Sequence, residues 1–372
     1  MSRVLVVTND FPPRAGGIQA FIHALTTRLR DVVVYAPKWQ GAAEFDAAQA
    51  FEVVRHPTSL MLPTPAVARR ATEIIRGRGC DAVWFGAAAP LGLLAPALRN
   101  AGARRIVATT HGHEAGWAQL PVARQLLRKI GADVDVLTYL GEYTRGRLTR
   151  AVSSSAKLER LAPGVDAEFF RPGAGGAAVR QRLGLAERPV VVCVSRLVPR
   201  KGQDVLVRAM PSILRAVPDA VLLIVGDGPY RSKLEKLVDE TGVRAAVRFT
   251  GGVPWAELPA HFDAGNVFAM PCRTRRKGLD VEGLGIVYLE ASATGIPVVA
   301  GNSGGAPDAV LEGETGYVND GKDVEAVAAS IIKCLEDPAA ARAMGANGRA
   351  WVEREWTWDA AAARLEEMLR CD

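Results

Sequence analysis

The sequence predicts an α/β protein built as two doubly wound, parallel-sheet domains, and three observations carry that expectation. The chain has 372 residues, 49% of them hydrophobic, more than one compact core usually holds, which favours two domains. Short β-branched runs alternate with longer helical patterns, the signature of parallel strands joined by helical crossovers. That alternation breaks once, at a turn-rich stretch in mid-chain, and then begins again.

In the first half, residues 4–8, 32–36, 82–85, 106–110 and 136–139 read as buried strands. Pro163-Gly164-Val165-Asp166 and Arg171-Pro172-Gly173-Ala174-Gly175-Gly176 interrupt the pattern. Residues 190–195 restart it, and 221–226, 247–250, 267–270 and 298–300 continue it. The expected division is therefore residues 1–165 and 166–355, both Rossmann-like. Residues 351–369 carry apolar side chains at helical spacing, with Trp356 and Trp358 placed to anchor this tail across both domains. No solenoid-period repeat is visible.

Composition excludes several classes. The first residues form a short strand rather than a leader, and no run of about 18 apolar residues offers a membrane span. Five cysteines lack metal-ligand spacing and read as reduced cytosolic thiols. The net charge of +6 collects in the first half, at Arg69, Arg70, Arg76, Arg78, Arg99, Arg104 and Arg105. Solvated helix faces account for such charge. The sharper reading is an anionic lipid surface, because Leu126, Leu127 and Ile130 interleave with Arg124, Arg128 and Lys129 as in an interfacial helix. Nucleic acid is not expected, since no binding motif accompanies the charge.

The chemistry-bearing residues follow strands. Glu282 and Glu290 sit in Val281-Glu282-Gly283-Leu284-Gly285-Ile286-Val287-Tyr288-Leu289-Glu290. Glycines at 283 and 285 allow close backbone approach, and a helix over 286–294 would begin with free amides at Gly285, Ile286 and Val287, an anion-attracting end. Glu282 is placed to accept from sugar hydroxyls and Glu290 from a ribose. An acidic loop before an ordinary helix is the plain alternative. Ser195-Arg196-Leu197-Val198-Pro199-Arg200-Lys201-Gly202 follows a buried strand, where Arg196 and Lys201 are suited to a diphosphate and otherwise simply solvate the loop.

Gly16 and Gly17 follow the first strand and precede a helical pattern, as a ligand loop or a turn. Neither the dinucleotide glycine fingerprint nor a Walker A loop is present. His111 ends a strand and reads as a sugar contact, since His111-Gly112-His113-Glu114 lacks the further ligand a zinc site needs. Asp10, on the neighbouring loop, is placed to orient an acceptor hydroxyl or take its proton. Gly252 and Val253 follow another strand and either punctuate a turn or receive a nucleotide base through the backbone.

Taken together, Gly16-Gly17, Pro163-Gly164-Val165-Asp166, Ser195-Arg196 with Lys201-Gly202, Gly226-Asp227-Gly228-Pro229 and the E-x7-E pair of Glu282 and Glu290 resemble the retaining GT-B glycosyltransferases of family 4. Thr8-Asn9-Asp10-Phe11-Pro12-Pro13, Trp84-Phe85-Gly86-Ala87-Ala88-Ala89-Pro90-Leu91, Thr110-His111-Gly112-His113-Glu114 and Met270-Pro271-Cys272-Arg273-Thr274-Arg275 are similar to the bacterial phosphatidylinositol mannoside mannosyltransferases that use GDP-mannose. The resemblance implies two Rossmann-like domains facing a central cleft, with a C-terminal helix of about 356–372 crossing back to the first. It implies transfer of mannose, with retention, from GDP-mannose to the inositol of a phosphatidylinositol monomannoside at the inner face of the cell membrane. Arg196 and Lys201 would hold the diphosphate with Gly283, Leu284, Gly285, Ile286 and Val287. Glu282 would hold the mannose, Glu290 the ribose, Val253 the guanine, Gly16 and Gly17 would close over the donor, and His111 would touch the mannose. No cofactor, divalent metal or protein nucleophile is expected. The basic run Arg275-Arg276-Lys277 has no assigned role.

Overall fold

A computed structural model of the chain describes residues 2–112, 121–152 and 156–371. In chain order its main elements begin β1 (Val4–Val7), α1 (Gly17–Thr26), β2 (Val32–Pro37), α2 (Ala42–Ala47), β3 (Glu52–His56), α3 (Pro65–Arg78), β4 (Ala82–Phe85), α4 (Ala95–Ala101), β5 (Arg105–Thr109), α5 (Pro121–Asp133), β6 (Val136–Tyr139), α6 (Glu142–Ala151) and β7 (Lys157–Arg160). They continue with α7 (Gly176–Arg182), β8 (Val190–Val194), α8 (Gln203–Ala216), β9 (Val221–Val225), α9 (Arg231–Glu240), β10 (Val247–Gly251), α10 (Leu258–Asp263), β11 (Val267–Met270), α11 (Ile286–Ala293), β12 (Val298–Gly301), β13 (Gly316–Asn319), α12 (Val324–Glu336), α13 (Pro338–Glu355) and α14 (Trp358–Leu369). Contacts divide them into one unit of residues 1–164 with 358–372, and a second of 165–357.

In the first unit seven parallel strands run in the order β3-β2-β1-β4-β5-β6-β7. Both faces are apolar because side chains alternate along each strand. Leu5, Val7, Val83, Phe85 and Ile106 pack under α3 to α6. Val4, Val6, Trp84 and Val107 pack on the other face with Phe21, Ile22 and Leu25 of α1. That second face also takes Ala362, Leu365, Met368 and Leu369 of α14. The C-terminal segment thus returns to the first unit because part of its sheet would otherwise stay in water.

The tail is not one helix, however. It breaks between α13 and α14, and the two tryptophans part company: Trp356 is buried edge-on against Trp351 in the second unit, whereas Trp358 packs near Phe21 in the first.

The second unit is a six-stranded parallel sheet in the order β10-β9-β8-β11-β12-β13. Strand order reverses between β1 and β4 in one unit and between β8 and β11 in the other. At each reversal the outgoing loops diverge to opposite faces and leave a crevice at the carboxyl edge, where open α/β sheets bind ligands. The first crevice gathers the loops leading to Asp10, Gly16 and His111. The second gathers those leading to Arg196, Lys201 and Glu282.

One expected surface is corrected. Helix α5 does not present Leu127 and Ile130 to a membrane, because both are fully buried in the core of the first sheet. Only Val122 and Leu126, 72% and 37% exposed, remain as large apolar groups on its outer face. Among the described residues, no helix is long and apolar enough to cross a membrane.

Candidate active site

The second crevice is built from three loops. After β8 the chain makes a 3-10 turn at Pro199–Lys201 and enters α8 through Gly202 at φ 80°. A Cβ on Gly202 would lie 2.0 Å from the Pro271 carbonyl oxygen. Glycine is therefore needed to bring the β8 loop against the β11 loop. Arg273 fastens the same junction: its amide donates to the Arg200 carbonyl at 2.8 Å, and its guanidinium grips both Asp204 oxygens at 2.9 Å.

Glu282 is held by its backbone. Its amide donates to Ser303 Oγ at 3.3 Å, and its carbonyl accepts from Gly305 N–H at 3.0 Å. The loop after β12 forms the cradle for it. Gly304 has φ 57°, and a Cβ there would fall 2.0 Å from the Glu282 carbonyl oxygen.

Glu282 is 7% exposed, and cations surround its carboxylate. Lys201 Nζ stands 2.6 Å from Oε2, in an ion pair whose angles fall outside hydrogen-bond geometry. Arg200 Nε is 3.8 Å from the same oxygen, and its Nη1 is 3.8 Å from Asp280 Oδ1. The structure thus brings Lys201 and Glu282 directly together, although sequence reasoning gave them separate parts of a ligand. Arg196, five residues before Lys201 on the same loop, is exposed, and its guanidinium has no partner among the described residues.

Helix α11 starts at Gly285 (φ 79°), with no side chain capping its first amides. Gly283 and Leu284 lead in, and Ile286 and Val287 form the open first turn. Tyr288 lies beneath, donating to the Met270 carbonyl at 2.7 Å. Two residues beyond Tyr288, Glu290 is 4% exposed. Burial pushes its carboxyl up to about 8, against the lowering pull of Lys201. Its carboxyl group has no hydrogen-bond partner among the described residues and suits a ligand bearing hydroxyl groups. Val253 is half-buried after β10, next to Gly252, which faces Asp227.

In the first unit, Asp10 Oδ1 accepts from Gln19 Nε2 at 2.8 Å. Gln19 is itself buried, and a Cβ on Gly16 would overlap its amide oxygen at 2.1 Å. Gly16 therefore makes room for the group that orients Asp10, while a Cβ on Gly17, the first residue of α1, would meet nothing within 4 Å. His111 Nε2 is 2.6 Å from the Gly86 carbonyl oxygen, so that nitrogen carries the proton and donates. Its ring stands edge-on to Phe21, with centroids 5.3 Å apart. His113 and Glu114 lie outside the described residues. Elsewhere, no group of three or more His, Cys, Asp or Glu is arranged to hold a metal among the described residues.

Sequence reasoning missed Asp204, Arg273, Asp280 and Ser303 as site-builders. Asp204 offered a faint signal, an acid in the first turn of a helix; the rest become visible only through contacts between loops distant in sequence.

Two parallel-sheet units, each with its loops collected at a switch point, define a GT-B fold. The chain belongs to glycosyltransferase family 4: residues 15–169 match the family model described as Glycosyltransferase Family 4, and residues 177–351 match Glycosyl transferases group 1. It is 57% identical over 373 residues, covering 98% of both chains, to the GDP-mannose-dependent alpha-(1-6)-phosphatidylinositol monomannoside mannosyltransferase of Mycolicibacterium smegmatis. It is 49% identical to the GDP-mannose-dependent monoacylated alpha-(1-6)-phosphatidylinositol monomannoside mannosyltransferase of Corynebacterium glutamicum, covering 100% of this chain and 98% of that one. Anabaena HepE in complex with UDP shares the fold, with a TM-score of 0.82 at 20% identity and 99% coverage of each chain.

Proposed function

We propose that this glycosyltransferase is a retaining α-mannosyltransferase, moving mannose from GDP-mannose to the inositol of phosphatidylinositol monomannoside in phosphatidylinositol mannoside assembly. The observation that carries the reading is full-length identity of 57% to a relative named for that reaction. The match covers 98% of both chains and so spans both units.

The geometry supports a division of labour. Arg196 is free to meet the diphosphate, and Lys201 reaches it by exchanging part of its contact with Glu282. The uncapped amides of Gly285, Ile286 and Val287 add positive field where negative charge grows on the leaving group. Glu282 accepts from mannose hydroxyls and Glu290 from the ribose, while the backbone at Val253 receives the guanine. Gly16 and Gly17 leave the first unit open to the donor, His111 contacts the mannose, and Asp10, steadied by Gln19, orients the acceptor hydroxyl. Departing phosphate takes the acceptor proton on the same face as attack, so the reaction uses neither a protein nucleophile nor a divalent metal.

The lipid acceptor places the enzyme peripherally on the inner face of the cell membrane. Val122 and Leu126 among Arg124, Arg128 and Lys129 on α5 form a small surface suited to anionic lipid. The test is transfer of labelled mannose by purified protein. Label should enter phosphatidylinositol monomannoside from GDP-mannose with chelator present; equal transfer from UDP-sugars, or to water-soluble acceptors, would overturn the assignment.

A further inference from the structure

Arg200 is a charged residue of the second crevice to which the reaction above gives no part. Its Nε is buried and makes no hydrogen bond. The Glu282 Oε2 atom is likewise buried, with Lys201 Nζ at 2.6 Å as its near partner, and Arg200 Nε stands 3.8 Å from it. A buried donor left just beyond bonding distance of a carboxylate is costly unless another state of the protein joins them. Hydrogen bonds of this kind tighten when ligand binds.

The surroundings hold Arg200 for that step. Its carbonyl accepts from Arg273 N–H at 2.8 Å, and Arg273 is clamped to Asp204. Asp280 lies 3.8 Å from its guanidinium and 3.6 Å from that of Arg275. Residues 275 and 280 also exchange backbone hydrogen bonds at 2.9 and 3.3 Å, closing the basic segment into a short turn. Arg275 thereby acquires a role as a brace for Asp280.

We propose that Arg200 is a positioning residue for the donor sugar: when the diphosphate draws Lys201 away, Arg200 closes on Glu282 and keeps that side chain aimed at the sugar hydroxyls. The proposal rests on Glu282 holding the sugar, as argued above. Lys201 alone cannot serve both anions fully, whereas adjacent cations allow one to remain.

Calorimetric binding of GDP and of GDP-mannose, with steady-state transfer kinetics, tests this on the full chain for Arg200→Gln, Arg200→Lys and Asp280→Asn. Arg200→Gln should lower kcat/KM for GDP-mannose by about tenfold or more while GDP affinity stays within about twofold, since GDP carries no sugar. Arg200→Lys should recover part of the loss, and Asp280→Asn should show a smaller loss of the same kind. Equal weakening of GDP and GDP-mannose would overturn the proposal by making Arg200 a phosphate ligand or a fold element. Unchanged kinetics would overturn it as well. If wild-type protein ignores GDP-mannose, the functional assignment fails separately, and the same comparison between its actual sugar nucleotide and the bare nucleotide decides the role of Arg200.

Discussion

Glu290 is expected to make the stability of the protein depend on pH in a way that its neutral isostere removes. Burial raises its carboxyl from 4.5 to about 8, with Lys201 opposing. Between those values the folded chain keeps a proton that the unfolded chain has released. The folded state binds more protons there, so stability falls as pH rises through the window and levels off above it. At about 1.36 kcal/mol per unit, the total comes to about 5 kcal/mol, of which roughly 4 kcal/mol falls between pH 5 and pH 9. Glu290→Gln keeps the shape and cannot ionise. In urea unfolding at the two pH values, the variant should therefore gain on the wild type by roughly 4 kcal/mol as pH rises. Parallel profiles would show that Glu290 ionises in the fold as it does in water, and the desolvation argument would fail.

Other expectations follow from the same site. Lys201→Ala and Arg196→Ala should both abolish most transfer, but only the first should cost stability, roughly 1.5 kcal/mol or more, because it leaves buried Glu282 with Arg200 alone. Urea midpoints separate the two, and equal midpoints would contradict the buried pairing. Gly285→Ala places a Cβ 2.5 Å from the Tyr288 ring at φ 79°, so a thermal melt should show a loss of about 2 kcal/mol or more. A wild-type melting temperature would mean that the turn relaxes. Liposome sedimentation should show binding that needs anionic lipid and weakens with salt; salt-insensitive binding would exclude the charged face of α5 as its cause.

The strands that could be read in advance were mostly those with continuous apolar runs, such as 190–194 and 221–225, where both faces are buried. The strands missed were β3, β7 and β13, and each lies at an edge of its sheet. Half-covered strands tolerate Glu52, Arg55, Lys157 and Glu159, so their sequences lack the run that marks a buried strand. Helix α5 failed in the opposite sense. Its amphipathic spacing was correctly seen, but the same spacing serves a protein core and a lipid surface, and only packing shows that Leu127 and Ile130 face the former.

The sequence by itself determined the α/β class, the repeated architecture, and the residue types of a sugar-nucleotide site, because strand periodicity, glycines at strand ends and the Glu282–Glu290 spacing are local properties. Tertiary structure alone decided which charges meet. Lys201 and Glu282 are 81 positions apart in the chain, yet form a 2.6 Å pair, because β8 and β11 are neighbours at the point where strand order reverses. The same adjacency brings Arg200, Asp280 and the Arg273–Asp204 clamp around one carboxylate. Charge interactions depend on distance in space and on burial, and neither is written in the spacing of residues along the chain.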